Sequence, residues 1–174
     1  MPRSFGNNIA DSVQRCVDYA DTLLKGVPAD RFARFAAPGG EVIESNHPAF
    51  ILGHLALYGE RIVDHCGGDA ASVAAPEGFA AVFSKDAKCQ DDPEGTIYPP
   101  MEEVIAAFKK GYEAGIAALR SAPDGMLDEE NPVAAMIPRF PTKGSVLAFY
   151  GGGHMMVHLG QFSAWRRMAG LGAA

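Results

Sequence analysis

The chain has 174 residues, with 15 basic against 21 acidic side chains and a formal charge of -6, so it lacks the concentrated positive patch from which nucleic-acid binding starts. One domain over residues 1–174 can bury about two thirds of its unfolded surface, and the three cysteines, Cys16, Cys66 and Cys89, show no C-x-x-C spacing, which excludes a disulfide scaffold and fits a reducing cytoplasm. No apolar leader follows the stretch Met1 to Asn8 and no apolar run reaches membrane-spanning length, so neither export nor membrane insertion is expected.

The first predicted helix runs from about Asn7 to Lys25, where Ile9, Val13, Cys16, Ala20, Leu23 and Leu24 recur at helical spacing before Gly26. The second starts at Asn46 as N-cap, has Pro48 in its first turn, and carries Ile51, Leu55, Tyr58 and Ile62 to Gly67-Gly68. Within the long connection that follows, Phe79, Val82 and Phe83 are expected to lay one short helical turn across the bundle. The third helix opens at Pro99-Pro100 and runs through Val104, Phe108, Tyr112, Ile116 and Leu119 toward Pro123; the last spans about Thr142 to Leu171. Connections 27–45, 67–98 and 122–141 are rich in Gly, Pro and Asp and longer than bundle loops usually are, which predicts at least one crossover.

His154 and His158 stand four apart on the last helix, so their rings leave one face and can converge on one ion. That spacing alone is weakly specific and needs a third ligand. His54, mid-helix among Leu52, Leu55 and Leu57, should point inward and supply it. Three imidazoles from two helices make a site with open positions for water or substrate, and nitrogen-only ligation suits zinc, nickel, copper or ferrous iron better than calcium or magnesium. The competing reading is that each histidine is a satisfied core or boundary residue.

The segments Asn46 to Leu55 and His154 to Gln161, with Tyr98-Pro99-Pro100 and Arg166-Arg167 before Gly170, together resemble the DinB/YfiT-like family over nearly the whole chain. The resemblance implies an all-α four-helix bundle of up-down-down-up topology and one divalent metal, zinc or nickel foremost, on His54, His154 and His158. It also implies a frequent homodimer. Activities implied are transfer or isomerisation with a low-molecular-weight thiol, or hydrolysis of a small-molecule substrate; the alternative is a non-catalytic metal-binding or stress-associated homodimer. Some relatives carry an acidic residue after the first histidine of the last helix. Met155 stands there in this chain, which weakens a general base at that place and removes the H-E-x-x-H pattern of zincin proteases.

Tyr58, Tyr150, Gln161 and Trp165 are pocket-lining candidates by helical spacing, with Arg61 near the His54 face, although aromatic residues so spaced more often belong to a core. Gln161 is also a candidate to orient a ligand imidazole. Gly151, Gly152 and Gly153 should each cost a helix about 1 kcal/mol relative to alanine. They signal either room beside the metal for substrate or another backbone, or a loosened helix start. His47 reads as a helix-start residue; His65, Arg166 and Arg167 read as C-terminal residues suited to the helix dipole, and Cys66 as a helix end without special function.

Overall fold

Ser4 starts the first helix by accepting the Asn7 backbone N–H at 3.2 Å, so α1 covers Phe5–Leu24 and begins ahead of the expected Asn7. The computed structural model describes residues 3–174; Met1 and Pro2, which open the stretch read for a leader, lie outside the described residues. One stripe of α1, including Ile9, Val13, Cys16, Val17, Ala20 and Leu23, is buried, and Gly26 turns the chain away at φ +74°.

Helix α2 covers Pro48–His65, and its N-cap is His47 rather than Asn46. The imidazole does what an Asn side chain would do: its Nδ1 accepts the Phe50 N–H at 3.2 Å. Its Nε2 donates to the Gln90 carbonyl at 2.8 Å, which ties the helix start to the long middle connection. Asn46 spends its amide elsewhere, on Gln161. The middle connection forms the expected turn, α3, at Phe79–Phe83. It is ordered by the buried Asp92 carboxylate, which accepts the N–H groups of Thr96, Ile97 and Tyr98.

Helix α4 covers Met101–Ser121. A short helix, α5, at Asp124–Leu127 interrupts what reads in the sequence as plain connection. There Asp124 accepts the Phe5 N–H at 2.8 Å and holds the start of α1. The last helical run begins at Thr142, which forms a capping box with Ser145, and proceeds as α6 at Lys143–Ala148, a π-helical turn at Phe149–Gly153, and α7 at His154–Met168. It stops short of the expected Leu171 because Gly170 adopts φ +77° and the Leu171 N–H folds back to the Arg166 carbonyl.

The architecture is all-α; among the described residues there is no strand, only the bridges Ala36 to Ile43 and Glu130 to Thr142. Helices α1 and α2 each pack on α4 and α7 and barely touch each other. The α2–α4 contact is the closest: a Cβ on Gly59 would lie 2.5 Å from the Gly111 backbone, so both glycines are needed for the helices to meet. No helix among the described residues is long and apolar enough to cross a membrane.

Arg166 lies in the last turn of α7, where a basic residue suits the helix dipole, but it does more than that. Its guanidinium is buried and donates to the carbonyls of Leu23, Lys25 and Leu171, capping the end of α1 from the end of α7. Arg167 does stay at the surface, paired with Ser163. Arg166→Met should therefore lower the unfolding free energy by roughly 2–4 kcal/mol, since it strands buried carbonyls, whereas Arg167→Met should cost no more than about 0.5 kcal/mol. Urea unfolding of both variants reads the difference, and equal losses would remove the capping role.

Candidate metal centre

The side chains of His54 on α2 and of His154 and His158 on α7 meet in the bundle. The Nε2 atoms of His54 and His154 are 3.3 Å apart, those of His158 and His154 are 3.2 Å apart, and one ring nitrogen from each of the three residues lies within 4.8 Å of the others. His54 is buried; His154 and His158 are half-buried.

The remaining ring nitrogens decide what these Nε2 atoms can do. His54 Nδ1 faces the Phe83 carbonyl at 2.8 Å, an acceptor only, so the proton sits on Nδ1 and Nε2 is a bare lone pair. His158 Nδ1 donates in the same way to Gln161 Oε1 at 3.0 Å. His154 Nε2 lies between two acceptors and can give a proton to only one of them. Its Nδ1 is buried without a partner. A cation at the meeting point satisfies all three lone pairs at once. Nitrogen ligands about 2.0–2.1 Å from a tetrahedral zinc sit about 3.3–3.4 Å from one another, close to the two separations from His154 Nε2. The residues present therefore fit a divalent transition metal, and no carboxylate or thiol among the described residues joins the three.

Electrostatics favour the ligand form. Burial pulls the pKa of all three imidazoles down; for His154 the neighbouring His158 and His54 add to it, and the value falls to about 3. All three rings are neutral at neutral pH, so an ion need not displace protons to bind.

The orienting groups come from distant parts of the chain. Gln161 holds His158 as expected, and is itself held by the Asn46 amide at 3.2 Å. The Phe83 carbonyl ends α3, and its position depends on Gly53: a Cβ there would sit 2.5 Å from the Phe83 ring. That ring is fully buried against Phe79, Phe50 and Tyr98, so it cannot easily give way. Helical periodicity predicts α3 but is silent about where its last carbonyl points.

The remaining candidates divide. The Tyr58 ring lies 4.3 Å from His154 and 5.2 Å from His54, and lines a cavity of ≈ 270 Å³ together with His54, Leu57, Arg61 and Lys85. Tyr150 sits behind it, buried, with its hydroxyl on Met136 Sδ at 3.2 Å and its ring 5.3 Å from Tyr58. Trp165 is no pocket residue. It is fully buried and donates from Nε1 to the Arg34 carbonyl at 2.8 Å. His47 is sealed into the cap of α2 and stays outside the cluster.

The three glycines form the π turn that delivers His154, which is the loosened-helix reading. Gly151 also admits α1, since a Cβ there would lie 2.3 Å from Val13 Cγ2; the contact it allows is with a side chain, not with substrate. Met155 is buried in the core, so the position next to His154 faces away from the centre. His65 also departs from its reading: burial lowers its pKa, and a neutral ring offers the helix dipole no charge.

A family model described as the DinB superfamily matches residues 4–162. A search of curated proteins found no match.

Gly53→Ala should displace Phe83 and free His54 Nδ1, lowering zinc affinity roughly 10- to 100-fold. A chelator-competition titration on the folded variant checks this, and unchanged affinity would break the link from Gly53 to the site. A second expectation concerns acid. All five histidines have folded pKa values below 6.5, chiefly through burial. The unfolded chain therefore binds protons first as pH falls, and stability present above pH 6.5 is lost on descending toward the folded values. Asp91 and Asp92, lowered from 3.8, contribute only further down. Thermal melts of metal-free protein should thus show a falling midpoint between pH 7 and 5, and a flat midpoint over that range would contradict the buried neutral state.

Proposed function

This chain belongs to the DinB superfamily, and on that premise we propose that it is a metal-dependent enzyme acting on a small organic substrate, with zinc or nickel held by His54, His154 and His158. The observation that carries this reading is the convergence of three imidazoles, with the Nε2 atoms of His54 and His158 at 3.3 and 3.2 Å from that of His154 and with two of the rings locked by acceptors at Nδ1. A structural zinc site is closed by four protein ligands, whereas catalytic sites keep a position open; three ligands favour the second kind.

A bound divalent ion would polarise a carbonyl or lower the pKa of a coordinated water or thiol. The chain's own residues hold and shield it. Phe83 and Gln161 keep His54 and His158 in one tautomer, while Phe50, Phe149 and Tyr58 pack around the imidazoles and keep the surroundings apolar. Burial raises the pKa of Tyr58, so its hydroxyl remains protonated and can donate to a substrate oxygen.

Within the thiol-transfer class, a low-molecular-weight thiol is favoured over a protein thiol. Burial raises the pKa of Cys16, and pushes those of Cys66 and Cys89 to about 11, so none is a ready thiolate. Hydrolysis remains the other class; among the described residues no carboxylate joins the three histidines.

Elemental analysis of untagged protein should find near-stoichiometric zinc or nickel in the wild type and its loss in His154→Ala, with helix content retained. Metal-loaded protein should then turn over a small electrophile with an added thiol, or a hydrolysable substrate, and stop when chelated. Failure to take up either metal when it is supplied would sink the proposal.

A further inference from the structure

Arg61 projects from α2 one turn beyond Tyr58, and its guanidinium carbon lies 4.5 Å from the centre of the Tyr58 ring. Among the described residues it has no ion-pair partner, although it lines the same cavity as His54 and Tyr58. Lys85, the other cation of that wall, is engaged by Asp86 at 2.7 Å. The cavity rim thus carries one exposed guanidinium, stacked on Tyr58, whose hydrogen-bonding fork has no protein partner among the described residues. A planar fork of this kind matches the two oxygens of a carboxylate, and stacking on an aromatic face lowers the entropy lost when it binds.

His54 belongs both to the cavity wall and to the triad, and Tyr58 on the same wall packs against His54 and His154, so a ligand seated here has the metal position at one end and Arg61 at the other. We propose that this cavity takes a small molecule bearing a carboxylate, which Arg61 binds while the molecule's other end reaches the metal; this rests on the metal-centre reading above. Glu60 on the same wall, and the pairing of Lys85 with Asp86, leave Arg61 as the one unpaired cation of the wall among the described residues, which favours a single carboxylate over ligands of higher negative charge. The backbone of the ligand between its two ends needs only a few atoms, because the Tyr58 ring is packed against both His154 and Arg61.

The test uses full-length protein loaded with cobalt(II), whose visible d–d bands report whether the triad holds metal. The probes are 3-mercaptopropionate and its uncharged amide, 3-mercaptopropionamide, with thiolate binding read from the sulfur-to-cobalt charge-transfer band. Wild type should bind the carboxylate about tenfold or more tightly than the amide, a difference of about 1.4 kcal/mol. Arg61→Gln should reduce that ratio to near one while leaving the affinity for the amide unchanged, and Arg61→Lys should restore part of it. A ratio near one in the wild type, or a ratio that survives in Arg61→Gln, overturns the role of Arg61 even with the cobalt bands intact. Absence of cobalt bands in every protein instead overturns the metal centre, and this proposal with it.

Discussion

Two carbonyl oxygens that accept from imidazole Nδ1 govern the centre of this molecule. A neutral histidine has one donor and one acceptor nitrogen, and the assignment of the donor is set by its partner. Phe83 fixes His54 and Gln161 fixes His158, so both turn lone pairs toward His154 at a spacing where a proton can serve only one contact. Placing such rings in a desolvated bundle is unfavourable for a charged imidazole and acceptable for a neutral one. The same burial that lowers their pKa values thereby prepares them as ligands.

The rest of the fold can be understood by how it keeps those two acceptors and three rings in register. Helix α2 approaches α4 at Gly59 and Gly111, which fixes the depth of His54. The middle connection is anchored by Asp92 and by the His47 contact with Gln90, and these hold α3 where its last carbonyl faces His54. On the other side, the π turn at Phe149–Gly153 adds backbone to the last helix just before His154. Such an insertion rotates the residues that follow it relative to those before, so α6 and α7 present different faces to the core. Arg166 then locks the far end of α7 to the end of α1.

Much of this was legible in the sequence, for identifiable reasons. Apolar residues at helical spacing marked the four long helical runs, and Pro48, Pro100, Gly26 and Gly170 marked their ends to within a few residues. The three histidines were legible because a spacing of four gives one face and a polar ring among leucines must point somewhere specific. Boundaries were missed where a less usual group did the capping, as with His47 in place of Asn46. Trp165 was misplaced because spacing alone does not tell a pocket wall from a core, and its indole found a backbone carbonyl instead. The burial of Arg166 was hidden for a related reason: its partners are main-chain carbonyls far away in sequence, and a carbonyl carries no residue signature.

The glycines show how local cost and global order are reconciled. Three in succession weaken an α-helix by about 1 kcal/mol each relative to alanine, and a protein with a simple bundle core would gain nothing from them. Here the penalty falls where the helix widens into a π turn and where α1 presses Val13 against Gly151, so an alanine would trade better helix propensity for a clash. The turn sits directly before His154, and Tyr150 within it backs the Tyr58 ring that flanks the triad. A rigid bundle supplies the stiffness, and one locally loosened turn sets the phase of two histidines against the third. The ordering of the site is therefore written less in the three imidazoles than in the small residues and backbone groups that surround them.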